Sequence, residues 1–321
     1  MRLAQFAIAV MALALFTGAQ AQQPIVLKFS HVVTDDTPKG KGAIRFKELA
    51  EAKTQGRVKV EIYPNSQLYK DREELEALQL GAVQMLAPSV SKFGPLGVRK
   101  FEVFDLPYMF ADENSLERVV DGPVGAGLFK LLEPKGITGL AYWFNGFKEF
   151  TANKPLKKLD DFKGMKIRIQ SSKILEGEIK AFGAIPQVMA FSEVYTALQQ
   201  GVVDGEENTP SNKYTQKMHE VQKHMTLSDH GVVMYAVIVN KKFWDGLPAD
   251  IRKALSEAMS ESTRYVWEIA KIRAAKTTDI YVLPAAEKAV WRKAMLPLYQ
   301  EYEGVVGKDT LQAIEKTVSK K

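Results

Sequence analysis

The 321-residue chain contains no cysteine. This absence excludes disulfide bonds, thiolate metal sites and cysteine nucleophiles, so the fold must rest on its hydrophobic core. The chain also lacks the G-x-S-x-G, H-E-x-x-H and G-x-x-x-x-G-K motifs of serine hydrolases, zinc peptidases and phosphate-binding loops. We therefore expect no metal and no cofactor, and the missing nucleophile and metal patterns argue against an enzyme.

Clustered charge is also missing. The formal charge of +6 comes from 44 basic and 38 acidic residues that are scattered along the chain. No basic run with interleaved aromatic residues is present, which argues against a nucleic-acid partner. A mildly basic surface is compatible with a protein that binds small anions.

Long apolar runs are missing too, except for a short one at the start of the chain. Arg2 precedes an alanine- and leucine-rich segment at residues 6–16, and Ala19-Gln20-Ala21 follows as a small-x-small cleavage pattern. A membrane anchor is the alternative, but this run is too short to cross about 30 Å of hydrocarbon. We interpret residues 1–21 as a signal peptide cleaved near Ala21, and the mature protein as an exported one that begins near Gln22.

After this segment, the hydrophobic pattern predicts alternating strands and helices. Strands are expected at residues 25–29, 58–62 and 83–87, with one helix starting at Thr37-Pro38 and another running from near Asp71 to Gly81. This order is typical of a doubly wound α/β sheet. Farther along, two more strands are expected at residues 137–143 and 232–239. Residues 248–276 read as one helix of about 40 Å, long enough to bridge two domains.

Polar residues cluster where predicted strands begin or end, which is where ligands of such sheets bind. These residues are His31, Ser89, Lys148, Arg168, Asn208 and His230. The other two histidines, His219 and His224, are expected in a polar helical stretch that faces solvent. As a set, these strand-end donors suit capture of a carboxylate better than catalysis.

Arg168 is the central residue of this set. Met165, Ile167 and Ile169 alternate with polar residues, which predicts a strand with Arg168 on its polar face. From the pattern alone, the arginine could bind an anion or simply face solvent. Its planar guanidinium could pair with a carboxylate through two hydrogen bonds.

Two blocks of the chain are distinctive: residues 164–168, GMKIR, and residues 189–208, MAFSEVYTALQQGVVDGEEN. Both resemble the substrate-binding proteins of TRAP transporters, the tripartite ATP-independent periplasmic systems. The resemblance covers the whole mature chain. Residues 63–68, YPNSQL, and residues 78–85, LQLGAVQM, resemble the DctP subgroup that binds four-carbon dicarboxylates.

The resemblance implies an α/β, two-lobed periplasmic solute-binding fold. Mixed sheets would be crossed by hinge strands, and a long helix would run across both lobes. By analogy, residues 22–145 and 234–273 form lobe one, and residues 146–233 and 274–321 form lobe two.

The resemblance also implies roles for individual residues. In the family, the arginine matching Arg168 forms a salt bridge with the ligand carboxylate, and the residue matching Asn208 donates a hydrogen bond. The aromatic residue matching Phe191 packs against the ligand. Lys148 stands where some members carry a second arginine, and His230 matches a position that lines the cleft in some members. For the distal carboxylate of the ligand, the candidates are His31, Lys39 and Ser89.

We therefore expect a monomeric receptor that closes on succinate, malate or fumarate and delivers it to membrane-embedded permease subunits. Three alternatives remain open at this point. The ligand could be a 2-oxo acid, a sugar acid or lactate, and the loaded receptor could signal to a kinase. A secreted enzyme could also use His31 or His230 as a base.

Overall fold

The computed structural model describes residues 23–270 and 279–319. The predicted signal peptide and the predicted end of the long helix lie outside these residues. Nine strands are present among the described residues. They are β1 Ile25–Ser30, β2 Val58–Tyr63, β3 Met85–Leu86, β4 Ile137–Ala152, β5 Lys166–Ile169, β6 Ile185–Val188, β7 Gly205–Asn208, β8 His224–Asn240 and β9 Asp279–Val282.

Eleven α-helices surround this sheet in the described part of the chain. They are α1 Pro38–Lys53, α2 Glu74–Gln79, α3 Glu113–Val120, α4 Pro123–Lys130, α5 Lys173–Ala181, α6 Val194–Gln199, α7 Pro210–Thr215, α8 Lys241–Asp245, α9 Ala249–Ala270, α10 Ala285–Val306 and α11 Lys308–Val318. Short 3-10 helices lie between them. None of the helices in the described ranges is long and apolar enough to span a membrane.

The strands form one mixed sheet in the order β2-β1-β3-β8-β4-β7-β5-β6, with β9 beside β8. β1 pairs in parallel with β2 and β3, as the predicted strand-helix-strand-helix-strand order requires. A second parallel group contains β5, β6 and β7. The α/β fold class predicted from the sequence is confirmed.

The two parallel groups are joined by β4 and β8, which pair antiparallel along most of their lengths. The first part of β4 and the last part of β8 extend the β1–β3 group, which we call lobe one. The last part of β4 and the first part of β8 extend the β5–β7 group, which we call lobe two. Near the crossing, the register shifts between Phe144 and Gly146, where Gly146 has a φ of 123°. Such a φ is accessible mainly to glycine, so this residue permits the bend between the lobes.

Three sequence-based predictions about these strands were wrong. We expected a strand to end at residue 143, whereas β4 continues to Ala152 and keeps Lys148 inside it. We expected a strand to start near Val232, whereas β8 starts at His224 and keeps His230 inside it. The polar residues of both strands are covered by packing between the lobes, so they no longer mark strand ends. His224 accordingly lies in a strand rather than in a helix.

The helix packing shows how the C-terminal part of the chain connects the lobes. α10 packs against α5 of lobe two, and α11 packs against α3 and α4 of lobe one. Leu311 and Ile314 of α11 share a core with Leu116 and Val119 of α3. The expected assignment of residues 274–321 to lobe two therefore differs from the packing of α11. The other lobe boundaries stay a prediction.

The close packing of α1 on α9 depends on a residue without a side chain. A Cβ added to Gly42 of α1 would lie 2.2 Å from Val266 of α9 and 3.2 Å from the Trp143 ring. Gly42 is buried, and Val266 and Trp143 belong to one hydrophobic core. The long helix α9 is therefore held against lobe one by a contact that only glycine permits.

We expect Gly42→Ala to lower the free energy of unfolding by about 1–3 kcal/mol, because overpacking forces α1 and α9 apart. The matched control is Gly127→Ala in α4, where no heavy atom lies within 4 Å of the added Cβ. That change should be neutral or stabilise the helix by about 0.5–1 kcal/mol. Urea unfolding of the two variants checks this; equal effects would contradict the packing account.

Candidate functional site

A small cavity lies between the two lobes. From lobe two it is lined by Arg168, Gln170, Phe191, Asn208 and Asn212. From lobe one it is lined by Val32, Val33, Asp71, Ser89 and Lys92, with Val233 and Tyr235 contributed by the crossing strand β8. Its volume of about 20 Å³ is close to that of a single water site. This is where four of the residues selected from the sequence converge: Ser89, Arg168, Phe191 and Asn208.

Arg168 is positioned by strand β5, which pairs on one side with β6 and on the other with β7. Its side chain is 2% exposed, and its Nε and Nη2 atoms donate hydrogen bonds of 3.1 and 2.8 Å to the carbonyl oxygen of Met189. Two of the five N–H donors are thereby used to fix the guanidinium. The others remain for an anion in the cavity.

Phe191 lies beside this guanidinium. Its ring centroid is 5.7 Å from Cζ of Arg168, within the range of a cation–π contact. Phe191 opens the 3-10 helix Phe191–Glu193 and is 7% exposed. It forms an apolar wall next to the cation, which suits a ligand with a short hydrocarbon chain.

Asn208 ends strand β7 and is held by its neighbours. Its Oδ1 accepts hydrogen bonds from the Thr209 backbone N–H and from Nδ2 of Asn212, both at 2.9 Å. Its Nδ2 donates to Oε2 of Glu206 at 3.3 Å. An amide NH₂ has two donors, so one remains for a ligand oxygen. Asn212 also donates to the hydroxyl of Tyr235 at 3.2 Å.

Lobe one contributes a cation that we did not select from the sequence. Lys92 belongs to the 3-10 helix Val90–Phe93, just after strand β3, and is 7% exposed. Its Nζ forms ion pairs with Asp71 and with Glu74, the latter at 2.7 Å. Burial alone would lower the pKa of Lys92, but these two carboxylates raise it above its ordinary value. Lys92 is therefore a buried positive charge at the cavity wall.

Asp71 was also missed, because the helix predicted to begin there starts three residues later at Glu74. The preceding turn brings the Asp71 side chain to the cavity that Arg168 also lines. Gln170, Asn212 and Tyr235 are further lining residues that sequence reasoning did not select. A signal was available for Lys92, since it follows Ser89-Val90-Ser91 at an identified strand end.

Ser89 and Lys39 occupy different positions relative to the cavity. Ser89 lines it, and its Oγ lies 3.2 Å from Oγ of Ser91. Lys39 lies behind the wall, with its Nζ 3.0 Å from the Ala87 carbonyl oxygen and 3.7 Å from the centroid of the Tyr235 ring. Burial and the nearby Lys92 lower the pKa of Lys39 to about 7. Its role in holding a distal carboxylate stays a prediction.

His31 is fully buried and is not among the lining residues. Its Nε2 lies 3.9 Å from Oδ1 of Asp35. Burial, with a smaller effect from Lys39, lowers the pKa of His31 to about 3. Its imidazole is therefore neutral at physiological pH and sits beneath the loop that carries Val32 and Val33.

Lys148 and His230 lie at the crossing strands, outside the lining of the cavity. The Nζ of Lys148 is 3.0 Å from Oε2 of Glu207 and 3.9 Å from Oδ1 of Asp105. The His230 ring stacks on Phe150 at 4.0 Å, and its Nε2 is 3.9 Å from the same Glu207 oxygen. Burial, with a smaller effect from the charge of Lys148, holds the pKa of His230 well below its ordinary value. Both residues belong to a buried charge cluster between the lobes.

No group of three or more acidic, histidine or cysteine side chains within residues 23–270 and 279–319 is arranged to hold a metal ion. What the cavity offers is Arg168 and Asn208 from lobe two and Lys92 from lobe one, around an apolar wall. Two cations that line one small space from different lobes are suited to an anion with charge at both ends.

Comparison with known proteins defines the class of this protein. Residues 29–304 match the family model described as bacterial extracellular solute-binding protein, family 7, also called DctP. The chain is 60% identical to the C4-dicarboxylate-binding periplasmic protein DctP of Rhodobacter capsulatus over 314 residues, covering 95% of this chain and 94% of that protein. The chain therefore belongs to the DctP family of extracellular solute-binding proteins.

Solved structures agree with this assignment. A TRAP periplasmic solute-binding protein from Shewanella oneidensis with bound succinate has a TM-score of 0.89 and 44% identity, covering 92% of this chain and all of that one. A protein of the same class from Pseudomonas aeruginosa with bound L-malate has a TM-score of 0.84 and 43% identity, covering 87% and 100%. The family resemblance and the two-lobed fold expected from the sequence are confirmed.

Proposed function

We propose that this protein is the periplasmic receptor of a TRAP transporter for four-carbon dicarboxylates. It binds succinate, malate or a close relative between its lobes and presents the loaded, closed form to membrane-embedded permease subunits. The observation that carries this proposal is the buried guanidinium of Arg168, which is fixed by Met189 and faces a cavity between the lobes. The similar proteins that bind succinate and L-malate support the choice of ligand.

One ligand carboxylate pairs with Arg168 and accepts a hydrogen bond from Asn208, while the methylene groups lie against Phe191. The other carboxylate reaches the lobe one side, where Lys92 is the cation at the wall. The ligand thus contacts both lobes, and only the closed form brings all of these donors together. Binding therefore shifts the population toward closure.

The enzyme alternative required His31 or His230 as a base at the ligand. Neither residue lines the cavity, and burial lowers the pKa of both. The geometry therefore favours capture of the ligand over its chemical conversion. A signalling role for the loaded receptor is compatible with the same site, because a kinase and a permease would both recognise the closed shape.

A thermal-shift panel of carboxylic acids tests the ligand class. Succinate, malate and fumarate are each expected to raise the melting temperature, since a ligand at 100 times its dissociation constant adds about 2.7 kcal/mol of stability. Lactate, a 2-oxo acid and a sugar acid serve as comparison ligands. A shift with one of these acids and none with the three dicarboxylates would contradict the proposed ligand class.

A further inference from the structure

The cavity already contains a carboxylate that belongs to the protein. Asp71 lines it from lobe one, and its Oδ2 accepts a hydrogen bond from the backbone N–H of Phe191 in lobe two. Its other oxygen, Oδ1, forms the ion pair with Lys92. A single side chain therefore engages a donor on each side of the space where the ligand is expected.

This carboxylate is ionised. Burial alone would raise the pKa of Asp71, but Lys92, the Phe191 N–H and the more distant Arg168 together lower it below its ordinary value. The Asp71 side chain is only 11% exposed. The cavity thus holds one internal negative charge beside the two cations that would receive a dianion.

Asp71 and Lys92 also line a second, larger space. A groove of about 440 Å³ lies against the cavity, and its walls include Leu75 and Leu96 of lobe one and Val188 of lobe two. The Asp71–Lys92 pair is common to the groove and to the cavity. A dicarboxylate is much larger than the 20 Å³ of the cavity. Lining side chains must therefore move before it can fit.

We propose that Asp71 is an internal competitor for the second carboxylate of the ligand and thereby sets the preference among carboxylic acids. In the unliganded closed form, Asp71 holds Lys92 and the Phe191 N–H. A dicarboxylate replaces it at Lys92, whereas a monocarboxylate bound only at Arg168 leaves the Asp71–Lys92 pair in place. This inference rests on the proposed function, because it needs a ligand with one carboxylate at Arg168.

The energetic consequence follows from competition. When an internal group occupies the site for most of the time, the ligand binds only the molecules whose site is free. The apparent affinity of the ligand is then its intrinsic affinity multiplied by the fraction of molecules with a free site. Lys92 would keep one carboxylate partner after the exchange, because Glu74 remains 2.7 Å from its Nζ. Neutralising Asp71 therefore frees the second site without leaving Lys92 unpaired.

The test is calorimetric titration of Asp71→Asn with succinate and with butyrate, a four-carbon acid that has only one carboxylate. We expect the variant to bind succinate about tenfold more tightly. This gain corresponds to a site at Lys92 that is free in about one molecule in ten of the unchanged protein and in all molecules of the variant. Butyrate binding should be unchanged, or undetectable in both proteins. Unchanged or weaker succinate binding, or an equal gain for butyrate, would overturn the proposal.

Two further variants make this test decisive. Asp245→Asn removes the same charge from an exposed pair within lobe one, in which Lys241 lies 2.7 Å away, and should leave succinate affinity unchanged. Asp71→Ser is a second neutral replacement that should bind succinate as tightly as Asp71→Asn, so poor folding of one variant does not decide the result. An equal gain in Asp245→Asn and Asp71→Asn would show that the effect comes from the net charge of the protein, and would overturn the proposal.

Failure of this inference can be told apart from failure of the proposed function. If the unchanged protein binds succinate and loses it on Arg168→Ala, while Asp71→Asn has no effect, only the role of Asp71 is wrong. If the unchanged protein does not bind succinate at all, the proposed function fails and the inference with it.

Discussion

Replacing Arg168 with alanine is expected to weaken dicarboxylate binding by about 2–5 kcal/mol, the cost of removing one partner of a buried, hydrogen-bonded charge pair. This corresponds to a loss of affinity between roughly 30-fold and several thousand-fold. The guanidinium is buried and held in place by two hydrogen bonds to the Met189 carbonyl oxygen. Calorimetric titration with succinate measures the effect.

Two controls sharpen this prediction. Arg168→Lys keeps the charge but loses the planar fork, so it should also bind succinate more weakly than the unchanged protein. Arg57→Ala removes an exposed arginine that pairs with Asp250 at 2.6 Å, and it should leave succinate affinity unchanged. Near-native affinity in Arg168→Ala would refute the central role given to this residue.

The second large effect is expected from Lys148, and it concerns stability. Lys148→Met removes the cation that lies 3.0 Å from Glu207 and 3.9 Å from Asp105, all three being almost completely buried. Breaking a buried ion pair by removing one partner costs about 3–5 kcal/mol, because the remaining charge is left without compensation. Urea unfolding at pH 8 should show this loss in the free energy of unfolding.

The pH dependence of that loss gives a second check. Burial raises the pKa of Asp105 to about 6 although Lys148 opposes the shift, so removing Lys148 should raise it further. A carboxyl whose pKa is higher in the folded state binds more protons there than in the unfolded state. Stability then falls as the pH rises through the folded pKa. The deficit of Lys148→Met should therefore be larger at pH 8 than at pH 5.

The matched control for Lys148 is a lysine in an exposed pair. Lys241 lies 2.7 Å from Asp245 on the surface, and Lys241→Met should change the unfolding free energy by less than about 1 kcal/mol. Equal effects of Lys148→Met and Lys241→Met would show that the buried cluster does not stabilise the fold.

Much of the lobe two side of the site could be predicted from the sequence. Arg168 lies in a short strand with a clear period-2 pattern, and Asn208 and Phe191 lie in a long block that resembles one family. The strand pattern and the resemblance to the family together indicated that these residues belong to a binding site. The structure brings all three residues to one cavity. Their contacts with a ligand stay a prediction until they are measured.

The lobe one side could not be predicted in the same way. Asp71 was hidden because helical periodicity favoured starting α2 there, whereas the helix begins at Glu74 and the turn before it reaches the cavity. Lys92 is five residues beyond the end of a predicted strand. Its importance arises from its pairing with Asp71 and Glu74, which are distant in sequence. A local sequence pattern does not reveal ion pairs between residues that are distant in sequence.

Lys148 and His230 illustrate a different limit. A polar residue after an apolar run suggests the end of a strand, but β4 and β8 pass through both lobes and bury polar residues between them. The polar side chains are accommodated because they pair with one another, as Lys148 does with Glu207. Sequence periodicity cannot distinguish a strand end at a cleft from a strand that continues through a hinge.

The most direct test of the account is a crystal structure of this protein with bound succinate. We expect one ligand carboxylate to lie about 2.7–2.9 Å from the Arg168 guanidinium, as in charge-assisted hydrogen bonds, and within hydrogen-bond distance of the Asn208 side chain. Succinate bound elsewhere, or bound between the lobes with neither carboxylate at Arg168, would contradict the central claim.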